Sequence, residues 1–274
     1  MCELMGLNFA RPLSAAFSLR AFGDRDQENP DGWGLAWYPD RSAAVVKEPV
    51  SWRSSKHISF LESYQGLSSS IYLAHVRHKT VGSIPTHADT HPFVRELDGR
   101  NYCFAHNGTL EDFQSLSLGQ FRPIGQTDSE HAFCHLLQLL MERSTRLSTC
   151  DDWQWFHCQL SHINRLGKFN CLLTDGERLF AYLDSCGHKG LYLRKIHLAN
   201  HEVRAFHDDE LHIELEGTSV NQGFAVASHP LSSIGWHRFH DGELIVLEDG
   251  HLVYSSDRSR ASHHPESAGT SRLS

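Results

Sequence analysis

No stretch of about 20 residues is apolar enough to span a bilayer. The N-terminus, MCELMGLNFARP, has neither a basic leader nor the apolar run of a secretory signal. Paired cysteines are missing as well. The seven cysteines are an odd number, scattered and without a CxxC pair, which fits neither a disulfide framework nor a zinc finger. They suit a reducing compartment, so a soluble, cytoplasmic protein is expected. Positive charge is in deficit: 25 Lys and Arg stand against 33 Asp and Glu, a formal net charge of -8. Such a chain has no general attraction to nucleic acid or to an anionic membrane, and neither is expected as a partner. Internal repeats, linker-like breaks and the HExxH metal motif are also absent.

What is present is a chain of 274 residues, 40% hydrophobic and 21% charged, enough to bury a sizeable core. Histidine is the one compositional oddity, at 21 residues. Residues 71–77 (IYLAHVR) and 102–106 (YCFAH) are rich in aromatic and β-branched side chains and predict strands. The second strand is expected to end in an Asn-Gly turn. Thr127 to Glu130 has the form of a capping box. Behind it Ala132, Phe133, Leu136, Leu137 and Leu140 recur at helical spacing, which predicts a helix over 128–142. A second helix is expected over 153–166. The period then changes. FNCLLT (169–174), Asp175-Gly176 and LFAYL (179–183) predict a hairpin. Residues 191–195, 224–228 and 243–247 predict further strands, and Asp249-Gly250 before HLVYS a second hairpin. The pattern is that of one domain over 1–255 with many strands and at least two helices. Ser, Arg and His without apolar pattern follow, and predict a disordered tail over 256–274.

Several residues could carry chemistry, each with a plainer alternative. Cys2 follows Met1 and is small enough for Met1 to be removed, which would leave a thiol and a free α-amine on one residue. Their reference pKa values of about 8.5 and about 7.7–8.0 keep both partly reactive near neutrality. The amine can serve as general base for the thiol. Alternatively, Cys2 is a small residue opening a buried strand. Asn107 and Gly108 could offer a side-chain amide and a backbone N–H as oxyanion donors, or simply turn the chain. Arg77 could grip a carboxylate through two parallel hydrogen bonds, or form a surface ion pair. Asp128 could receive an ammonium group, or serve only the helix dipole. Asp31-Gly32-Trp33-Gly34 permits tight backbone geometry, or is a turn. His75, His78, His87, His91 and Asp89 cluster in sequence, which keeps a histidine-ligated metal hydrolase as a remote alternative.

The order and spacing of these features are more specific than any one of them. Met-Cys, DGWG, Arg77 with Thr80 and Gly82, THPF (90–93), AHNG (105–108) and TDSE (127–130) follow one another. This succession resembles the class II glutamine amidotransferases, and more closely their stand-alone YafJ-type group. The likeness is strong over 1–140 and weaker to about residue 250. It implies an α+β fold, a four-layer αββα sandwich of two antiparallel sheets typical of N-terminal-nucleophile hydrolases. It maps Cys2 to the nucleophile and Asn107 with Gly108 to the oxyanion hole. Arg77, Thr80 and Asp128 map to glutamine binding, and His106 to a structural place. The implied reaction is attack of Cys2 on the glutamine side-chain amide through a thioester, giving glutamate and ammonia, with no cofactor and no metal.

The implied ligand is L-glutamine or another γ-glutamyl amide. The run His78-Lys79-Thr80-Val81 departs from the Trp-Ala-Thr-His that synthase-linked members carry. A hydrolase for a larger γ-glutamyl conjugate therefore stays open, as does a glutamine-binding subunit without turnover. No acceptor domain for ammonia is recognisable, so a separate synthase is the partner to look for. A homodimer is compatible with the sequence.

Overall fold

The computed structural model describes residues 2–18, 30–51, 54–64, 67–78, 86–207 and 212–257. The chain runs β1 (Glu3–Ser18), β2 (Pro30–Trp37), β3 (Ala44–Glu48), α1 (Lys56–Ser63), β4 (Ser68–His78), β5 (Phe93–Leu97) and β6 (Arg100–Leu110). Then come α2 (Asp128–Arg143), α3 (Cys150–Asn164), β7 (Gly167–Thr174) and β8 (Arg178–Tyr182). The remaining strands are β9 (Tyr192–Leu198), β10 (Val203–His207), β11 (His212–Glu216), β12 (Asn221–Ala227), β13 (His237–Arg238), β14 (Leu244–Glu248) and β15 (His251–Ser255).

The strands form two antiparallel sheets. The larger has the order β13-β9-β12-β1-β4-β2-β3, with β11 pairing the far half of β1 and β10 pairing β11. The smaller has the order β15-β14-β8-β7-β6-β5. Alternation along each strand sorts side chains between faces. Leu4, Leu73, Cys103, Leu172 and Ile245 meet between the sheets. Met5, Leu7, Trp33 and Tyr72 fill the outer face of the larger sheet, under α1. Phe104, Phe180, Phe133 and Phe156 fill the space between the smaller sheet and the helices α2 and α3. These layers are the expected αββα sandwich. At Gly6 the sheets approach so closely that a Cβ would lie 2.7 Å from Leu179.

The expected hairpins form. β7 pairs β8 across Asp175-Gly176, where Gly176 takes a φ of 87°, and β14 pairs β15 across Asp249-Gly250, with φ of 48° and 70°; the β5–β6 hairpin, outside those expected, turns on Asp98 and Gly99 at 51° and 75°. Two left-handed residues match the twist of the flanking strands. Asn107-Gly108 is no turn: it lies inside β6, with Asn107 paired to Asn170 and Gly108 to Phe169 of β7. The DGWG run is likewise part of β2, not a turn before it. Gly34 is there because a Cβ would lie 2.2 Å from the His91 carbonyl oxygen. All seven cysteines are free. Of the tail expected over 256–274, only Ser256 and Asp257 are among the described residues, and Ser256 still pairs with Leu244 through its N–H and hydroxyl.

Candidate active site

Cys2 stands one residue before β1, half-buried. Asn107 rises to meet it from β6. Its side chain is 2% exposed, and its Nδ2 donates to the Cys2 carbonyl oxygen at 2.6 Å. The residues are 105 apart in sequence and in different sheets. Asn107 Oδ1 has its own neighbour, the Lys189 ammonium at 3.4 Å.

The N–H of Gly108 points to the side of β6 away from β7, where among the described residues no strand pairs with β6 beyond Phe104. Leu110 N–H leaves the sheet to donate to Asp128 Oδ2 at 2.7 Å, while Glu111 N–H turns the other way, to the Leu166 carbonyl. Alternation puts Gly108 on the same side as Leu110, where β5 has already ended opposite Arg100 to Phe104. Only glycine fits here, since a Cβ would lie 1.9 Å from the Lys168 carbonyl oxygen.

Arg77 belongs to the same neighbourhood. The register pairs Glu3 with Val76 and Leu4 with His75, and one step further sets Arg77 beside Cys2. On its other side Arg77 pairs with Gly32 of β2. Its Nη1 donates to the Asp89 carbonyl at 3.5 Å. Asp89 accepts from Thr86 Oγ1 at 2.6 Å and from the Gln126 N–H at 2.7 Å, tying the loop after Arg77 to the segment that enters α2. Lys47 anchors the same loop, its Nζ donating to the Thr90 carbonyl at 2.7 Å. Thr80, with Lys79, Val81 and Gly82, lies outside the described residues, as does the side chain of His78.

Asp128 is the first residue of α2, half-buried, after the N-cap Thr127. Its Oδ1 accepts from the Ser129 N–H at 2.9 Å. The capping box is only half made. Thr127 Oγ1 accepts from the Glu130 N–H at 3.1 Å, but the Glu130 carboxylate turns away to Arg95 and to the Gly125 N–H. His106, 2% exposed, faces the helices. Its Nε2 lies 3.1 Å from the Lys168 carbonyl and its Nδ1 2.8 Å from Ser129 Oγ. A carbonyl can only accept, so Nε2 carries the proton and Nδ1 accepts from the serine. Burial holds this imidazole below its usual 6.5, against the pull of the Asp128 charge. His106 thus stitches β6, β7 and α2 together in neutral form.

The histidine cluster is described only in part, since the side chain of His78 lies outside the described residues. His75 and His91 lie against each other, tilted by 38° with ring centroids 4.2 Å apart, and burial, with His75 beside it, holds His91 well below its usual value. Among the described residues no three His, Cys, Asp or Glu side chains are placed to share a metal ion. The structure therefore gathers Cys2, Asn107, Gly108 and Arg77, with Asp128 linked through the Leu110 N–H. It adds Lys189 and Asn170, which the sequence did not single out. The glycine-rich run after the strand at 179–183, DSCGHKG, was the available signal.

The sequence model of the class-II glutamine amidotransferases matches residues 1–271. An uncharacterised protein of Methanocaldococcus jannaschii is 37% identical over 260 residues, 94% of this chain and 72% of that protein. The Escherichia coli K12 protein named "Putative glutamine amidotransferase YafJ" is 36% identical over 187 residues, 66% of this chain and 72% of the relative. Among solved structures, a Pseudomonas aeruginosa PA01 protein described as a predicted glutamine amidotransferase superposes with a TM-score of 0.74 at 27% identity, covering 92% of this chain and 99% of that one. The glutamine phosphoribosylpyrophosphate amidotransferase of B. subtilis has a TM-score of 0.56 at 14% identity, covering 93% of this chain and 48% of its own. At that identity the likeness is one of fold.

Proposed function

Because this chain belongs to the class-II glutamine amidotransferases, we propose that it cleaves the side-chain amide of glutamine with Cys2 as the nucleophile, exposed by removal of Met1. The observation that carries the reading is the contact of buried Asn107 with the Cys2 carbonyl across two sheets. It brings an amide donor to the reacting residue, next to a glycine N–H on the side of β6 away from β7.

In this reading the Cys2 α-amine takes the thiol proton and the sulfur attacks the amide carbonyl. Asn107 Nδ2 and the Gly108 N–H hold the oxyanion. The α-amine passes the proton to the leaving nitrogen, ammonia departs, and a thioester remains. Water then releases glutamate and restores the thiol. Arg77 grips the α-carboxylate and Asp128 the α-ammonium group, with Thr80 on the rim. Ammonia would pass to a separate synthase or to solvent, in the cytoplasm.

A second reading, a larger γ-glutamyl amide in place of glutamine, rests on the run His78-Lys79-Thr80-Val81. It changes the leaving group and not the chemistry. The test is hydrolysis of glutamine and a panel of γ-glutamyl amides by the Met1-processed protein, with Cys2→Ala as control. Mass spectrometry after a glutamine-like diazoketone reports the nucleophile. Hydrolysis with labelling at Cys2 is expected; an unlabelled protein that hydrolyses none of the panel overturns the assignment.

A further inference from the structure

The loop between β8 and β9 delivers a lysine to the Cys2–Asn107 contact, and the fold goes to some length to hold it there. Asp184, 2% exposed, organises the loop. Its Oδ1 accepts from the Cys186 N–H at 2.8 Å, and its Oδ2 from the Phe169 N–H at 2.8 Å. Asn170 is fully buried and is the cross-strand partner of Asn107. Its Oδ1 accepts from the Asp184 N–H at 2.8 Å and its Nδ2 donates to the His188 carbonyl at 2.6 Å. Gly187, Lys189 and Gly190 take φ of 69°, 57° and 93°, and a lysine in the left-handed region is uncommon. The result is a half-buried Lys189 whose ammonium lies 3.4 Å from Asn107 Oδ1.

The two ends of an asparagine amide are nearly the same shape and opposite in function. Turned over, Asn107 would present an oxygen to the Cys2 carbonyl and to any developing oxyanion. An ammonium has donors only, so it accepts one orientation, oxygen outward and Nδ2 toward Cys2. It also polarises the amide, which strengthens Nδ2 as a donor, and sets a positive charge behind the point where negative charge develops.

We propose that Lys189 is a positioning residue for amide cleavage, acting through Asn107, and that Asn170 and Asp184 exist in part to hold its loop in place. This rests on the reading of Cys2 and Asn107 given above. The experiment is a double-mutant cycle on the full chain with glutamine or the best γ-glutamyl amide. Lys189→Met is expected to lower kcat about tenfold or more, short of the 10²–10³ from losing an oxyanion donor itself, with KM within about twofold. In an Asn107→Ala background the same change should cost less than about twofold, because residues that act as a unit are not additive. Lys189→Gln, which keeps a donor and loses the charge, serves with the same readouts if the methionine variant does not fold. A Lys189 variant within twofold of wild type, or a loss that multiplies in full onto Asn107→Ala, overturns the proposal. If the wild type hydrolyses none of the panel, the Cys2 reading is what has failed. Lys189 is then judged by the side-chain ¹⁵N–¹H signals of Asn107. A shift on substitution supports the positioning role and an unchanged pair overturns it.

Discussion

Asn107 divides its side-chain amide between two neighbours. Oδ1 faces Lys189, and one Nδ2 hydrogen goes to the Cys2 carbonyl. An amide nitrogen carries two hydrogens, so the second is available to a substrate oxygen without breaking the contact that aims it. A donor fixed in advance needs no reorganisation as the oxyanion forms, so its effect belongs to the transition state. Asn107→Ala is therefore expected to lower kcat by about 10²–10³ while KM changes little, measured by steady-state kinetics on the substrate found above. A raised KM with kcat unchanged would mean that Asn107 binds the ground state instead.

At the scale of elements, the start of α2 shows how a sequence pattern can be right about place and wrong about partners. Thr127 and Glu130 announce the N-terminus of the helix, and the helix begins there. A reciprocal capping box would make the two residues comparable in weight. In the fold, Glu130 is 1% exposed and serves Arg95 and the Gly125 N–H, joining β5 and the preceding loop to α2. Thr127→Ala should cost about 1 kcal/mol, the usual loss of a cap. Glu130→Ala should cost about 3 kcal/mol, because charge-assisted bonds of about 1.5–3 kcal/mol each are lost. Chemical denaturation of both variants checks the ranking, and equal losses would restore the capping box. The same reasoning separates what was legible from what was not. Helices α2 and α3 carry a helical period, and β7, β8, β9, β12, β14 and β15 stand out as short apolar runs, two of the hairpins marked by Asp-Gly, whereas β10, β11 and β13 carry no such signal. Strand β1 does not stand out, because Gly6, Asn8, Arg11 and Pro12 interrupt its apolar residues and a proline argues against a strand interior. Cys2, Arg77, Asn107 and Asp128 could be read from the order of their motifs. Lys189 could not, since it reaches Asn107 across 82 residues of chain through a loop that Asn170 positions.

For the whole molecule, the buried layers hold histidines neutral. His91 lies between the sheets and His106 between the smaller sheet and α2, and burial depresses both imidazoles below 6.5. In the unfolded chain they titrate near that usual value. Below it the unfolded state binds protons that the folded state refuses. The stability that neutral burial preserves is thus complete above about pH 6.5 and lost as pH falls from there toward the folded values. Asp175 has the opposite sign, because burial pushes its carboxyl up and folding favours its protonated form as pH falls. The two effects overlap in the wild type, so the decisive quantity is a difference between proteins. His106→Gln keeps a hydrogen-bonding side chain and removes one titration. Its unfolding free energy should fall less steeply than the wild type's as pH drops below 6.5, whatever the substitution costs at pH 7.5. Parallel slopes for the two proteins would show that His106 takes up its proton in the folded state as readily as in the unfolded chain, and that the stitch between β6, β7 and α2 tolerates the imidazolium.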